Sequence, residues 1–444
     1  MRVIIIGAGA SGLTLASHLR KNNGDMEIIV FTKSEDIAYS PCAIPLVLGG
    51  IIPSFDDIIM HDINHYLEMN IRIELTTTVT NVDSENKMIT YKKNSITENI
   101  NYDKLVIATG SETIHPEYEI ENFNNIFSLN NLNDGKLIQK TLEEKEHKNI
   151  VFISKFSIGI ESAIELARKG YNITFLEESS DILSLYLDGE ISEKLVKLCD
   201  EIQIETNVNV KSITNNDSKK EIQYNDKNII ADMIILPSYK IPSTKLARQA
   251  GCEIGDFAVI INEYLETSVE DIYAMGDCVE VKSHITKSQT YSPSGTNAVR
   301  QAIILANNLT YTSKLSFKPV VNNVVSSVGK INYASCGITE SFANMMGIHV
   351  TSEYLDSYQK ARYYPDNYKI FIKMIFKEDG TIVGCQMISE EDLSSKIDLL
   401  SFAMLHNLKY EDMINMEFSY TPEYAKIINP LQEMALNIKK KLSH

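Results

Sequence analysis

The sequence predicts an α/β chain in which two doubly wound, parallel-sheet domains precede a C-terminal α+β domain. Three observations predict it. The length of 444 residues suggests about three domains at roughly 150 residues each. A β-branched run, a glycine turn and a helical apolar period occur together near the start and again about 145 residues later, and strands joined through helices imply parallel pairing. From about Phe317 the pattern changes to longer strands followed by helices.

Taken in order, Arg2 to Ile6 reads as a short buried strand, Gly7, Gly9 and Gly12 as the turn, and Leu13, Leu15 and Leu19 as one face of a helix. Met26 to Phe31 is the next strand, and Tyr102 to Ser111 contains another, ending in Ala-Thr-Gly. The second unit runs through strand Ile150 to Ile153, helix Gly159 to Arg168 and strand Ile173 to Leu176. Thr267 to Asp277 is a strand ending in Gly-Asp. The last region offers strands at Lys369 to Phe376 and Ile382 to Met387, then helices at Ser394 to Leu405 and Pro430 to Lys440. No low-complexity linker separates these blocks, so the crossings are expected to be short and ordered.

Composition excludes several classes. An apolar fraction of 44% and a charged fraction of 23% describe an ordinary globular chain. A net charge of −17 repels polyphosphate backbones and anionic lipid, which argues against nucleic acid or membrane as the main partner. Cysteines at 42, 199, 252, 278, 336 and 385 have neither metal-knuckle nor paired redox spacing. The apolar start is broken by glycines and lacks a cleavage site, so a cytoplasmic chain is expected. His61 and His65 stand one turn apart around Asp62, but no third ligand accompanies them, and no metal is assigned.

Gly7-Ala-Gly-Ala-Ser-Gly12, between a strand and a helix, is the context in which a glycine motif binds a pyrophosphate. With the Ala-Thr-Gly and Gly-Asp strand ends in the same order, the chain resembles the FAD-dependent pyridine nucleotide-disulfide oxidoreductases. Tyr291-Ser-Pro-Ser-Gly-Thr-Asn297 resembles the helix start beneath the flavin in that family, so the resemblance spans nearly the whole chain. It implies a FAD site formed by Gly7, Gly9, Ser11, Gly12, Thr32, Lys33, Val79, Ala108, Thr109, Gly110, Gly276, Asp277, Gly295 and Thr296. Thr32 stands where an acidic ribose partner is usual, and its hydroxyl can serve instead. The implied organisation is a discontinuous FAD-binding domain (1–110 and 246–316), an NAD(P)H-binding-like domain (111–245) and a dimerisation domain (317–444), in a homodimer.

Tyr39-Ser-Pro-Cys-Ala-Ile-Pro-Leu-Val-Leu-Gly49 resembles the single-cysteine branch, which contains coenzyme A disulfide reductases, NADH oxidases and NADH peroxidases. Pro45 and Val47 occupy the positions where relatives with an internal disulfide place a second cysteine. Ser40 as a cap and Pro41 at a first helical position would set Cys42 at a positive helix end, which favours a thiolate, although Pro45 kinks that helix or delays its start. Ala10 stands where peroxidases and many oxidases carry a histidine, which favours a disulfide substrate such as that of coenzyme A. Two tyrosines of the partner subunit reach the site in coenzyme A disulfide reductases; the corresponding stretches give Tyr364, or its neighbour Tyr363, and Tyr420. The expected mechanism is attack by Cys42 on the disulfide, a mixed disulfide, and its release by flavin electrons.

NAD(P)H is the electron donor of the family, and here the sequence departs from it. In Ser154-Lys-Phe-Ser-Ile-Gly159 only Gly159 remains of the expected glycines. Phe156 obstructs the approach of a pyrophosphate and Ser154 weakens the turn. Tyr239 replaces a further small residue beside the nucleotide. Glu161 and Glu177 match family positions, and Glu177 could still bond a ribose. Two rival readings follow: an NADH oxidase or peroxidase in which Cys42 cycles through a sulfenic acid, and a FAD-binding redox sensor without nicotinamide turnover.

Overall fold

The computed structural model describes residues 1–114, 118–144, 148–237 and 239–442, with the side chain of Tyr239 outside the description. Five parallel strands stand in the order Ile272–Ala274, Lys104–Ile107, Arg2–Ile6, Glu27–Phe31, Arg72–Glu74. Val3, Ile4 and Ile5 are fully buried because both sheet faces are covered. On one face, helix Ala10–Asn22 packs against helix Gly295–Thr310. A second parallel sheet repeats the design, in the order Ile126–Ser128, Met233–Leu236, Asn149–Ile153, Asn172–Leu176, Gln203–Glu205. In both, the strand before the glycine turn is central and its next strand lies beside it, the doubly wound arrangement that the sequence predicts. The expected strands and the second crossover helix, Ser157–Arg168, differ from the observed ones by one or two residues at most ends; the buried strand in Tyr102 to Ser111 is only Lys104–Ile107 and that in Thr267 to Asp277 only Ile272–Ala274.

An antiparallel ribbon, Ser111–Ile114 against Tyr239–Pro242, carries the chain out to the second sheet and back. The last region is a five-stranded antiparallel sheet in the order Val324–Val328, Ile331–Gly337, Ile382–Ser389, Lys369–Lys377, Val350–Tyr358. Its two faces bury different partners. Ile370, Ile372 and Met374 meet the core beneath helices Ser394–Leu405 and Pro430–Leu442. Phe371, Ile388 and Tyr333 join the core of the second parallel sheet instead. That double burial explains the nearly uninterrupted apolar run from Ile370 to Phe376. Helix Ile44–Gly49 packs on Ser157–Arg168, and Ile44, Val47 and Leu48 enter the same second core. Cys42 is thereby placed where the three regions meet. Among the described residues no helix is long and apolar enough to cross a membrane.

Candidate active site

The first glycine turn lies at the C-terminal edge of the first sheet, where doubly wound folds bind ligands. Gly7 adopts φ +120°, and a Cβ there would fall 2.0 Å from the Ala108 carbonyl oxygen. A Cβ on Gly12 would fall 1.9 Å from the Gly7 carbonyl oxygen, so helix and strand meet only through glycine. The helix starting at Ala10 has no side-chain cap, because its N-cap is Gly9. Its first amides are therefore a site for an anion.

Around this turn the structure gathers the other motif residues. Gly276, at φ +78°, donates its amide to Gln301 Oε1 at 2.7 Å and faces Ser11. Thr109 donates its hydroxyl to the Ser243 carbonyl at 2.8 Å. Helix Gly295–Thr310 begins without a side-chain cap, while Ser294 and Thr296 share a 2.8 Å hydroxyl contact. Added Cβ atoms at Gly9, Gly110 and Gly295 would meet nothing within 4 Å: these three border open space. Burial raises the Asp277 carboxyl above its usual range, Lys240 opposes this, and no hydrogen bond reaches it from the described residues. Open glycine edges, two uncapped helix starts and an acceptor awaiting a donor fit a bound dinucleotide with hydroxyl groups. At the rim, Thr32 is buried with its Oγ1 accepting from the Ser34 amide at 3.2 Å, which leaves the hydroxyl proton to donate. Lys33 is exposed and Val79 is buried on strand Thr78–Asp83.

Cys42 is the one exposed cysteine; the other five are buried. The expected helix end is corrected by the structure. Pro41–Ala43 is a separate 3₁₀ turn, Ser40 makes no side-chain cap, and the helix starts at Ile44 with Pro45 in its first turn. Cys42 therefore precedes the helix. Its thiol lies above its ordinary range, since desolvation and the Glu161 carboxyl raise it and Lys240 only partly opposes them. A cavity of about 270 Å³ opens beside it, lined among others by Pro45, Glu161, Glu165, Ser326 and Asn332.

The second loop differs in kind from the first. Ser154 stays outside the left-handed region that Gly7 adopts, and its Oγ accepts the Phe156 amide at 3.0 Å. The turn is thus closed by the serine side chain, which corrects the expectation that Ser154 weakens it. Gly159 is required because a Cβ there would meet Ser154 Oγ at 2.4 Å. Phe156 is the N-cap of Ser157–Arg168, extended and partly buried. Glu177 is 1% exposed, accepts the Ser179 amide at 2.8 Å, and is pushed up to about 7, chiefly by burial. Its carboxyl is turned into its own loop. The obstruction expected from the Tyr239 side chain lies outside the described residues.

Glu161, placed by sequence on the nicotinamide side, accepts a 2.6 Å hydrogen bond from Ser326 Oγ of the C-terminal sheet. Tyr363, and not Tyr364, has Tyr420 as its neighbour, whose hydroxyl raises the titration of Tyr363. Tyr364 lies under Lys360, whose Nζ is 5.6 Å from the ring centre. His61 precedes helix Ile63–Glu68; it stacks on His65 at 4.0 Å, so the rings lie face to face. Among the described residues no three metal-ligating side chains converge. Sequence reasoning missed Lys240, Gln301, Ser326 and Tyr333. Gln301 lies one helical turn after Asn297; Lys240 is brought in by a pairing between distant strands, and Ser326 and Tyr333 face each other on a hairpin of the C-terminal sheet that packs against the second domain.

The family model described as pyridine nucleotide-disulphide oxidoreductase matches residues 1–302, and that of its dimerisation domain matches residues 326–431. The chain is 40% identical over 448 residues to the NADH oxidase of Methanocaldococcus jannaschii, covering 100% of each. It is 25% identical to the CoA-dependent NAD(P)H sulfur oxidoreductase of Pyrococcus furiosus, covering 99% of each. The NAD-dependent persulfide reductase from A. fulgidus superposes with a TM-score of 0.95 at 28% identity, covering 100% of this chain and 84% of that one.

Proposed function

From the premise that this chain belongs to the pyridine nucleotide-disulphide oxidoreductases and is a FAD-dependent enzyme, we propose that it reduces a small disulfide through Cys42. The observation that carries the reading is the isolation of that thiol. Of six cysteines it alone is exposed, and it faces a cavity at the junction of the three regions. Pro45 and Val47 leave it no neighbouring cysteine to pair with. Its sulfur would attack the disulfide, form a new S–S bond and expel the other sulfur as a thiol. FAD, when bound, supplies the electron pair that returns Cys42 to the thiol. The residues that would hold FAD are those bordering the first glycine turn, with Gly9, Gly110 and Gly295 giving it room and Asp277 an acceptor. The disulfides of coenzyme A and of smaller thiols are the substrate class, a choice in keeping with the CoA-dependent relative.

Residues 1–110 and 246–316 would form the FAD unit, 111–245 the nicotinamide-side unit and 317–444 the dimerisation unit. A homodimer would cover Tyr363, Tyr420, Tyr424 and Ile427, which stand exposed on the last unit and match the position of the dimerisation family model. A second reading, oxygen or peroxide reduction through a Cys42 sulfenic acid, draws on the 40% identical relative named NADH oxidase. Flavin-loaded protein reduced without oxygen separates the two when offered coenzyme A disulfide, oxygen and peroxide in turn. Disulfide turnover that disappears in Cys42→Ser supports the first reading. Disulfide turnover that survives this substitution refutes it, and reoxidation by oxygen or peroxide alone favours the second.

A further inference from the structure

We infer that Glu161 is a further catalytic residue of the cysteine site, the acid that protonates the thiolate displaced from a disulfide by Cys42. The inference rests on the disulfide reading and deepens it. Cys42 and Glu161 line the same cavity, with Leu46 and Val325 as apolar wall and Asn332 at its side. A displaced thiolate is released into that cavity. Glu161 is fixed there from the C-terminal sheet, because Ser326 Oγ donates to its Oε1 at 2.6 Å. Behind it the Tyr333 hydroxyl is fully buried with no aligned hydrogen-bond partner among the described residues, and Ser157 and Ser326 lie beside it. One carboxyl oxygen is therefore held by Ser326, and Tyr333 is the other hydroxyl neighbour of the same carboxyl.

The groups facing Glu161 are Cys42 across the cavity, Tyr333 and Tyr186 from beneath, and Glu165 one turn along its own helix. Among the described residues no cation pairs with it. Burial among such neighbours raises its carboxyl above the usual range, which favours the protonated form an acid needs.

The step balances. Cys42, its proton lost to water, attacks the near sulfur; the Cys42 S–S bond forms and the substrate S–S bond breaks. The electron pair leaves on the far sulfur, which takes the Glu161 proton and departs as a thiol, and Glu161 regains a proton from solvent. Cys42 is oxidised to the disulfide level while one substrate sulfur is reduced. General-acid help of this kind is worth roughly 10²–10⁴-fold, and least for a leaving group already stable as an anion.

The test uses flavin-loaded protein, reduced and then freed of reductant, mixed with hydroxyethyl disulfide or with a nitroaryl disulfide. The first expels an alkyl thiol that needs a proton; the second expels an anion that does not. Formation of the Cys42 adduct is timed by acid quench and mass spectrometry. For Glu161→Gln, which keeps an oxygen for Ser326, the alkyl rate is expected to fall about 100-fold and the aryl rate less than about threefold. The aryl rate doubles as the control for an intact fold. Equal rates in variant and parent overturn the inference, and so does an equal fall with both disulfides. Failure of the parent to form any Cys42 adduct overturns the disulfide reading itself, and the inference with it.

Discussion

Replacing Lys373 with Met is expected to cost about 3–5 kcal/mol of stability at neutral pH, the usual consequence of removing one partner from a buried charge cluster. Lys373 is 3% exposed on a central strand of the C-terminal sheet, with its Nζ 3.0 Å from Asp188, 2.8 Å from Glu340 and also against Glu190. Asp188 is itself 2% exposed. Burial pushes its carboxyl up, but hydrogen bonds from Ser341, Gln386 and the Glu340 amide win and bring it from 3.8 to about 2. A folded value below the unfolded one adds stability that is fully present above the unfolded value and lost as pH falls through the folded one. Here that window runs from about 4 down to about 2, and the contribution is about 2 kcal/mol. Without Lys373 the carboxylates lose their counter-ion, and protonation relieves them. The penalty should therefore be largest at pH 7 and shrink as pH falls below about 4. The chain has no Trp, so thermal unfolding followed by circular dichroism is the assay. At about 2–4 °C per kcal/mol the shift at pH 7 is on the order of 10 °C. A shift below about 2 °C at neutral pH, or one of equal size in acid, would refute the assignment of Lys373 as the cluster's counter-ion. The cluster ties helix Gly189–Leu198 to the C-terminal sheet, the same two regions that bring Ser326 to Glu161.

Gly7→Ala should yield protein without flavin, because the new methyl group would lie 2.0 Å from the Ala108 carbonyl in a backbone at φ +120°; a normal flavin-to-protein ratio after purification would contradict this. Flavin reduction by NADH or NADPH is expected to be slow in the unaltered protein. It should quicken in Phe156→Gly with Tyr239→Gly, plus Ser154→Gly if needed. Rapid flavin bleaching of the unaltered protein by micromolar nucleotide would show that the second loop admits it after all.

The strand and crossover pattern was legible because parallel strands buried on both faces leave long β-branched runs, as in Val3 to Ile6 and Ile150 to Ile153. The cofactor motifs were legible for a related reason: close backbone approach demands glycine, and Gly7 and Gly12 meet that demand against Ala108 and each other. The setting of Cys42 was not. Pro45 is compatible with a kinked helix or a late start, and only packing of Ile44 and Val47 into the second core decides for the late start. Tyr363 and Tyr364 are equivalent in sequence as well. The backbone turn at Ala361 directs Tyr364 under Lys360 and leaves Tyr363 for Tyr420. Glu161 belonged by position to the nicotinamide side; its bond to Ser326 depends on a strand 165 residues away, which no local pattern announces.

The two strand-to-helix loops share a fold and differ in how the turn is closed. Both follow the central strand of a five-stranded parallel sheet and both open a crossover helix. The cores beneath them, Ile4 and Leu15 in one case and Phe152 and Ile164 in the other, bury equally well whatever the loop contains. What separates them is the fate of the amides at the helix start. In the first loop the turn is made by the backbone of Gly7, and the amides beyond Gly9 are left for an anion. In the second, Ser154 Oγ has already taken the Phe156 amide, and Gly159 is pressed against that same side chain. The Phe156 amide is thus already engaged within the loop, and the Glu177 carboxyl accepts the Ser179 amide. The second domain also serves the cysteine site: helix Ser157–Arg168 carries Glu161 to the cavity of Cys42.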